Sequence, residues 1–151
     1  GPGTTFHRVL WDDAQSYPAE HIALKPDDKI RRVVISSGKV YYDLLDARNK
    51  GGHDDIYLLR LEQLYPFPAR TLIQELSRFP NAEVVWVQEE PRNMGGWFFV
   101  EPLLEWVLDH AKTASRRARY IGRHASAATA TGLASQHATE QRALVAQAMA
   151  E

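Results

Sequence analysis

Two adjacent carboxylates, Glu89 and Glu90, follow the apolar run Val84–Val87 and precede a proline, a basic residue and two glycines. Neighbouring acids could act in general acid/base catalysis if one of them were desolvated and its pKa raised. Successive side chains at a strand end point in different directions, so the two are not expected to share one proton. Ion pairs with Arg92 or Arg60, or hydrogen bonds that fix the following loop, explain them more simply. We assign no catalytic residue.

A second feature with chemical potential is the turn Ser37-Gly38-Lys39, which stands before a predicted helix. Backbone N–H groups and an ammonium at a helix N-terminus can bind an anion. The turn lacks the longer glycine loop of a P-loop, and no G-x-G-x-x-G fingerprint occurs in the chain. A plain helix cap accounts for the same residues, and both interpretations stay open.

Positive charge concentrates around the last predicted strand, in Arg116, Arg117, Arg119, Arg123 and His124. Arg123, with Ser126 and Thr131 in the loop that follows, could hold a phosphate-bearing effector. A solvated basic edge would have the same composition. None of the six histidines falls in an H-x-x-x-H or H-E-x-x-H pattern, so we assign no metal site.

The composition excludes several classes of protein. A chain of 151 residues with 44% hydrophobic and 25% charged residues is typical of one globular domain. A formal net charge of −1 does not indicate the basic surface patch with which proteins bind nucleic acid. No apolar run is long enough to cross a membrane. The absence of cysteine excludes disulfides and thiolate nucleophiles, and it is compatible with a reducing compartment.

Strands alternate with helices along the chain. We predict strands over Arg32–Ser36, Ile56–Leu61, Val84–Val87 and the stretch RARYIGR. Predicted helices carry apolar stripes through Val40, Tyr41, Leu44 and Leu45, through Leu72, Ile73 and Leu76, through Leu103, Leu104, Trp106 and Val107, and over Thr139–Met149. The third of these helices is predicted to start at Pro102, and Gly51-Gly52 is predicted to stop the first.

This alternation predicts a three-layer α/β fold, with a mostly parallel sheet between flanking helices. We assign residues 29–151 to that domain. Residues 4–28 show no sustained period and are predicted to form an arm that covers a surface of this domain or of a neighbour. Gly1-Pro2-Gly3 is interpreted as a remnant of expression cloning. The segment Trp97-Phe98-Phe99 is predicted to be exposed in the isolated chain and to favour self-association.

Four blocks of sequence carry a resemblance to a known family: SGKVYYDLL, RLEQLYPFPAR, NAEVVWVQEEPRNMGGWFFVEPLLEW and GRHASAATATG. Together they resemble the C-terminal domain of 2-oxoglutarate dehydrogenases, the thiamine-diphosphate-dependent decarboxylating components of the 2-oxoglutarate dehydrogenase complex. The resemblance implies a C-terminal domain of the transketolase type. It also implies a cytoplasmic location in a bacterium or a location in the mitochondrial matrix.

In that family thiamine diphosphate and magnesium are held by earlier domains, so the resemblance implies that this chain alone binds neither and catalyses nothing. Its implied partners are the remaining domains of the enzyme, the homodimer mate and the lipoyl-bearing succinyltransferase. The residues implied to organise subunit contacts are Glu89, Glu90, Arg92, Asn93, Gly95, Gly96 and Trp97. The residues implied for an effector such as AMP or acetyl-coenzyme A are Lys39, Arg48, Arg123, Ser126 and Thr131. The alternative is a stand-alone, flavodoxin-like module that binds a nucleotide or acetyl-coenzyme A.

Overall fold

The structure, a computed structural model, describes residues 9–17, 20–123 and 134–151. Its strands are β1 (Val9–Leu10), β2 (Arg32–Ser36), β3 (Ile56–Leu61), β4 (Glu83–Pro91) and β5 (Arg119–Arg123). Its helices are α1 (Asp13–Ser16), α2 (Val40–Gly51), α3 (Ala69–Leu76), α4 (Trp97–His110) and α5 (Ala134–Met149), with a 3-10 turn over Asp27–Lys29. The predicted alternation of strands and helices is confirmed.

The strands form one sheet in the spatial order β1-β3-β2-β4-β5. Strand β2 lies at its centre and pairs in parallel with β3 on one side and β4 on the other, and β5 continues in parallel beside β4. Among the strands of the described residues, only the short edge strand β1 runs antiparallel, against β3. The sheet is therefore mostly parallel, as predicted.

Two apolar layers cover the sheet, one on each face. Alternate residues of a strand point to opposite faces, so Ile35 enters one layer and Val34 the other. Helices α3 and α4 contribute to the layer that contains Ile35, and helices α2 and α5 contribute to the layer that contains Val34. The central strands are buried on both faces, which explains their continuous apolar sequence. This arrangement confirms the three-layer α/β fold.

Helix α2 forms where the spacing of apolar residues predicts it. Val40, Tyr41 and Leu44 are buried against the sheet, and Leu45 packs at the margin of the same cluster. The helix ends because Gly52 adopts the left-handed conformation, with φ of 66°, and its N–H donates to the carbonyls of Arg48 and Asn49. Glycine reaches this conformation without the steric cost that a side chain carries.

Helix α4 differs from the prediction at its start and in one buried position. It begins at Trp97, five residues before the predicted start, and Pro102 lies inside it. Its buried face contains Val100, Leu104 and Val107. Trp106 was predicted to face inward but is 51% exposed, because it is rotated by about 200° from Leu104 around the helix axis.

The described part of the predicted arm packs on this domain. Val9 and Leu10 pair with Leu61 and Arg60 of β3, and the Asp12 side chain is fully buried. Helix α5 begins five residues before the predicted Thr139. The predicted loop after β5, which contains Ser126 and Thr131, lies outside the described residues. The arm therefore extends the sheet by one strand.

Candidate interaction site at the carboxyl edge of the sheet

The carboxyl ends of β2 and β4 lie side by side, because the two strands are parallel neighbours. After β2 the chain continues to β3 on one side of the sheet, and after β4 it continues to β5 on the other. Ligand and contact sites of open α/β sheets concentrate at such a reversal of direction. The loop that leaves β4, residues 92–96, and the turn that leaves β2 therefore form the candidate site.

Gln88 determines the conformation of the loop after β4. Its side chain is only 3% exposed, and its Oε1 accepts hydrogen bonds from the Trp86 indole N–H and the Trp97 backbone N–H, each at 2.9 Å. Its Nε2 donates to three backbone carbonyls, at 3.1 Å to Glu90, 2.9 Å to Pro91 and 2.7 Å to Met94. One side chain thus joins the strand end, the loop and the start of α4.

Gln88 directly follows the predicted strand Val84–Val87, but its role in the loop was not predicted from the sequence. The available signal was an amide side chain at the end of an apolar strand and directly before a turn. A buried amide needs partners for all its polar atoms, and a turn supplies free backbone groups. The hydrogen bonds of Gln88 therefore order the loop within this domain.

Two glycines allow the loop to pack closely. Gly95 has φ of 68°, and a Cβ there would lie 3.1 Å from the Glu90 side chain. Gly96 adjoins the Trp86 ring, which a Cβ would approach to 3.0 Å. Gly95 and Gly96 thus allow the loop to adopt this geometry because glycine has no side chain.

Arg92 lies over two aromatic rings at the surface of the loop. Its guanidinium carbon is 5.9 Å from the Trp97 ring centre and 5.1 Å from the Tyr120 ring centre. Trp97 is buried, which corrects the prediction that it is exposed, whereas Arg92 and Asn93 face solvent. Burial raises the pKa of Tyr120, so its phenol is neutral and donates to the Arg123 carbonyl at 2.5 Å. Cation–π contacts hold Arg92 in place while leaving it accessible.

The two carboxylates that follow Gln88 do not pair with the arginine at the end of β3. Glu90 is exposed and Glu89 is partly buried. Arg60 forms an ion pair with Asp13 at 3.5 Å and lies 4.0 Å above the Tyr41 ring, so it is not their partner. The two glutamates contribute negative charge to the surface of the loop.

The turn after β2 has the geometry of a helix start. Gly38 adopts φ of 85°. Lys39 is the N-cap residue of α2, and its side chain is exposed. The Lys39 side chain makes no capping hydrogen bond. An exposed ammonium beside helical N–H groups is compatible with anion binding.

Arg48, one of the residues implied for effector binding, lies in the core. Its side chain is fully buried, and its guanidinium donates to the Asp12 carboxylate, the Ile56 carbonyl and the Asn49 side chain. It has no exposed surface for a ligand. Its position indicates a structural role.

Acidic side chains accompany most of the basic residues near β5. Arg123 pairs with Glu140 at 3.0 Å, and its Nη2 lies 3.5 Å from the His137 carbonyl. Other pairs are Arg119 with Glu83 at 3.2 Å and Arg117 with Glu105 at 3.3 Å. His124, Ser126 and Thr131 lie outside the described residues. Of the described arginines at this edge, Arg117, Arg119 and Arg123 are therefore paired within the domain.

A groove of about 620 Å³ lies between α2 and α5. Asp43 and Ala47 line it on α2, and His137, Gln141 and Val145 line it on α5. A hydrogen bond of 2.9 Å from Gln141 to Asp43 connects the two walls. The lining of the groove is more apolar than polar and includes the charged residues Asp43, Asp46 and Arg142.

In the described parts of the chain, no three potential metal ligands come together. None of the helices there is both long and apolar enough to span a bilayer.

The fold and this edge define a class of protein: a three-layer α/β domain with a mostly parallel sheet and an ordered, glycine-containing loop at the carboxyl edge of that sheet. The sequence profile of the family described as 2-oxoglutarate dehydrogenase C-terminal matches residues 1–149. The chain belongs to that family.

Curated relatives agree with this assignment. The chain is 59% identical over 146 residues to the 2-oxoglutarate dehydrogenase E1 component of Brucella anthropi, which covers 97% of this chain and 15% of the relative. The E1 component of Brucella ovis is also 59% identical, with 97% and 14% covered, and that of Brucella abortus is 58% identical. The chain thus spans about one seventh of the length of these relatives.

Proposed function

We propose that this chain is the C-terminal domain of a 2-oxoglutarate dehydrogenase E1 component and that it serves assembly of the enzyme. The observation that carries the proposal is the identity of 59% over nearly the whole chain to E1 components that are far longer. Within the longer polypeptide, such a domain contributes to catalysis by holding the other domains in register.

In this proposal the longer polypeptide decarboxylates 2-oxoglutarate oxidatively and passes the succinyl group to the lipoyl-bearing succinyltransferase. Thiamine diphosphate would supply the chemistry of decarboxylation, with magnesium, in the earlier domains. The described residues of this chain assemble no metal-ligand set that fits these groups, so no step of the reaction is assigned to them. The relatives come from bacteria, which favours the bacterial cytoplasm over the mitochondrial matrix as its location.

The loop after β4 is our candidate for contact with the other domains or with a homodimer mate. Its contact residues in this proposal are Glu89, Glu90, Arg92, Asn93, Gly95 and Gly96, with Trp97 as their buried anchor. Gln88 orders the loop before any partner binds, which lowers the entropic cost of association. Exposed arginine and amide groups on an ordered loop are typical of a contact surface.

A comparison of the isolated chain with the full-length polypeptide tests the proposal. Decarboxylation of 2-oxoglutarate, measured with an artificial electron acceptor and added thiamine diphosphate and magnesium, is expected only for the full-length polypeptide. Turnover by the 151-residue chain alone would overturn the assignment of an assembly role.

The contact loop is tested separately by Arg92→Glu in the full-length polypeptide. Charge reversal at an ordered contact is expected to weaken subunit association, measured by sedimentation at a series of concentrations, without unfolding the domain. Arg70→Glu, on the exposed side of α3, is the matched control. Equal association of both variants and the parent would show that the loop is not a subunit contact.

A second candidate function is binding of a nucleotide or acetyl-coenzyme A, and the groove between α2 and α5 favours it. Arg123 lies near this groove through its contact with His137, and Lys39 stands at the start of α2. Titration calorimetry with AMP and with acetyl-coenzyme A is expected to show saturable heat that Arg123→Ala weakens and Arg116→Ala leaves unchanged. The absence of heat at millimolar ligand would contradict this candidate.

A further inference from the structure

The outer face of α4 carries two parallel stripes of side chains that the domain does not cover. One stripe is apolar and contains Phe98, Pro102 and Trp106, with Phe98 80% and Trp106 51% exposed. The other stripe is acidic and contains Glu101, Glu105 and Asp109. Both follow a spacing of four residues, which places the members of each stripe on one side of a helix.

Contacts within the domain leave one stripe apolar and the other acidic. The Trp106 ring stacks on the His110 ring, with centres 4.2 Å apart, at the end of the apolar stripe. Glu105 pairs with Arg117 at 3.3 Å, and the side chains of Glu101 and Asp109 face solvent. The face as a whole is apolar with excess negative charge.

We infer that this face of α4 binds a basic and apolar surface on the part of the polypeptide that precedes this chain. The inference rests on the proposed function and adds to it the surface and the chemistry of its partner. The relatives are about seven times longer than the chain, so most of the polypeptide lies outside it. A partner complementary to this face must cover the exposed rings and supply cations opposite the acidic stripe.

A second copy of α4 does not meet this requirement. If two copies packed antiparallel about a twofold axis, their acidic stripes would lie on the same side of the contact and repel each other. If they packed in parallel, the acidic stripe of one copy would lie over Phe99 and Leu103 of the other, and neither of these side chains supplies a cation. Charge complementarity therefore favours a different surface of the longer polypeptide.

Site-directed labelling tests whether the face is covered. The chain contains no cysteine, so Trp106→Cys introduces a single thiol into it. We expect maleimide to modify position 106 at least about tenfold more slowly in the full-length polypeptide than in the isolated 151-residue chain, because a covered thiol reacts only when the contact opens. Peptide mass spectrometry assigns the modified position. Gln147→Cys, exposed on α5, is the control and is expected to react equally in both.

Charge reversal tests the chemistry of the partner. In the full-length polypeptide that carries Trp106→Cys, the added changes Glu101→Lys and Asp109→Lys are expected to restore the faster modification. The same change of charge at Glu20 and Asp28, exposed elsewhere, is the control and is expected to leave position 106 protected. Protection that survives the reversal on α4 would overturn the basic character of the partner.

Three further results separate the possible failures. Equal modification of position 106 in the isolated chain and in a full-length polypeptide that decarboxylates 2-oxoglutarate would overturn the inference and leave the proposed function intact. Protection that appears in the isolated chain as its concentration rises would show that a second copy covers α4 and would also overturn it. A protected position 106 in a polypeptide without decarboxylase activity would support the inference and count against the proposed function.

Discussion

Asp12 and Arg48, 36 residues apart in the chain, form an ion pair in which neither side chain is exposed. Arg48 Nη1 donates to Asp12 Oδ2 at 2.6 Å, and Nη2 donates to Oδ1 at 2.7 Å. The same carboxylate accepts the backbone N–H groups of Leu58 at 2.7 Å and Ala14 at 2.9 Å. The pair therefore fastens the N-terminal arm to α2 and to the sheet at once.

Replacement of Asp12 by Asn should destabilise the domain strongly. The substitution leaves the Arg48 guanidinium buried without a counterion, and the loss of one partner of such a pair costs about 3–5 kcal/mol. Urea denaturation followed by circular dichroism measures the change. Asp13→Asn is the matched control, since its partly exposed pair with Arg60, at 3.5 Å, should be worth less than about 1 kcal/mol. Equal losses for the two variants would contradict this account.

Gln88→Leu should loosen the loop after β4. The change keeps the side chain close in size but leaves the Trp86 indole N–H and the Trp97 backbone N–H without their acceptor. Each buried polar group left unpaired costs about 1–3 kcal/mol. Trypsin is therefore expected to cleave after Arg92 faster than in the parent, which gel analysis of a time course will show. Gln147→Leu, at an exposed position of α5, should change neither cleavage nor stability.

Gly122→Ala should destabilise β5 because there is no room for a methyl group. A Cβ at this position would lie 2.7 Å from the Gln88 carbonyl oxygen and 2.6 Å from the Tyr120 hydroxyl. Backbone cannot move away as a flexible side chain can, and overpacking of this kind typically costs about 1–3 kcal/mol. Thermal unfolding provides the measurement.

Gly38→Ala is the control for Gly122→Ala. A Cβ added at Gly38 would meet open space, but the φ of this residue is 85°. Alanine there should cost only the strain of the left-handed conformation, about 1 kcal/mol. A Gly122→Ala variant as stable as the parent would show that the strand end is not packed as described.

Periodicity in the sequence predicted those parts of the fold that depend on neighbouring residues. The stripe Val40, Tyr41, Leu44 fixed both the existence and the buried face of α2, and Gly52 ended it. The continuous apolar run of β3 predicted a strand covered on both faces. Such features depend on local spacing and on turn chemistry, which a single sequence contains.

Features that depend on distant residues could not be predicted in this way. No local pattern connects Asp12 with Arg48. The resemblance implied Arg48 for an effector site, whereas its side chain is buried in this ion pair. The start of α4 was placed at Pro102 because proline favours a first turn, whereas the loop held by Gln88 starts the helix at Trp97. The orientation of Trp106 follows from the helical period, which places it on the side opposite the buried Leu104 wherever the helix begins.

The stability of the domain should fall in acid partly because of Glu83. Partial burial acts to raise the pKa of this carboxyl, but hydrogen bonds from Arg32 at 2.6 Å and Arg119 at 3.2 Å hold it below its ordinary value. In the unfolded chain a glutamate titrates near pH 4.3, so below about that pH the unfolded state binds more protons than the folded state at this site. The contribution of Glu83 is therefore complete above about pH 5 and is lost as the pH falls through its folded pKa.

Urea denaturation between pH 3 and pH 6 tests the contribution of Glu83 to the stability of the domain. Glu83→Gln should lower the free energy of unfolding at pH 6 and flatten its decrease toward pH 3. The effect should shrink in high salt, because the Glu83 side chain is 38% exposed and its ion pairs are screened. Glu20→Gln, at an exposed position, should leave the slope unchanged. A slope for Glu83→Gln as steep as that of the parent would mean that Arg32 and Arg119 do not stabilise the carboxylate in solution.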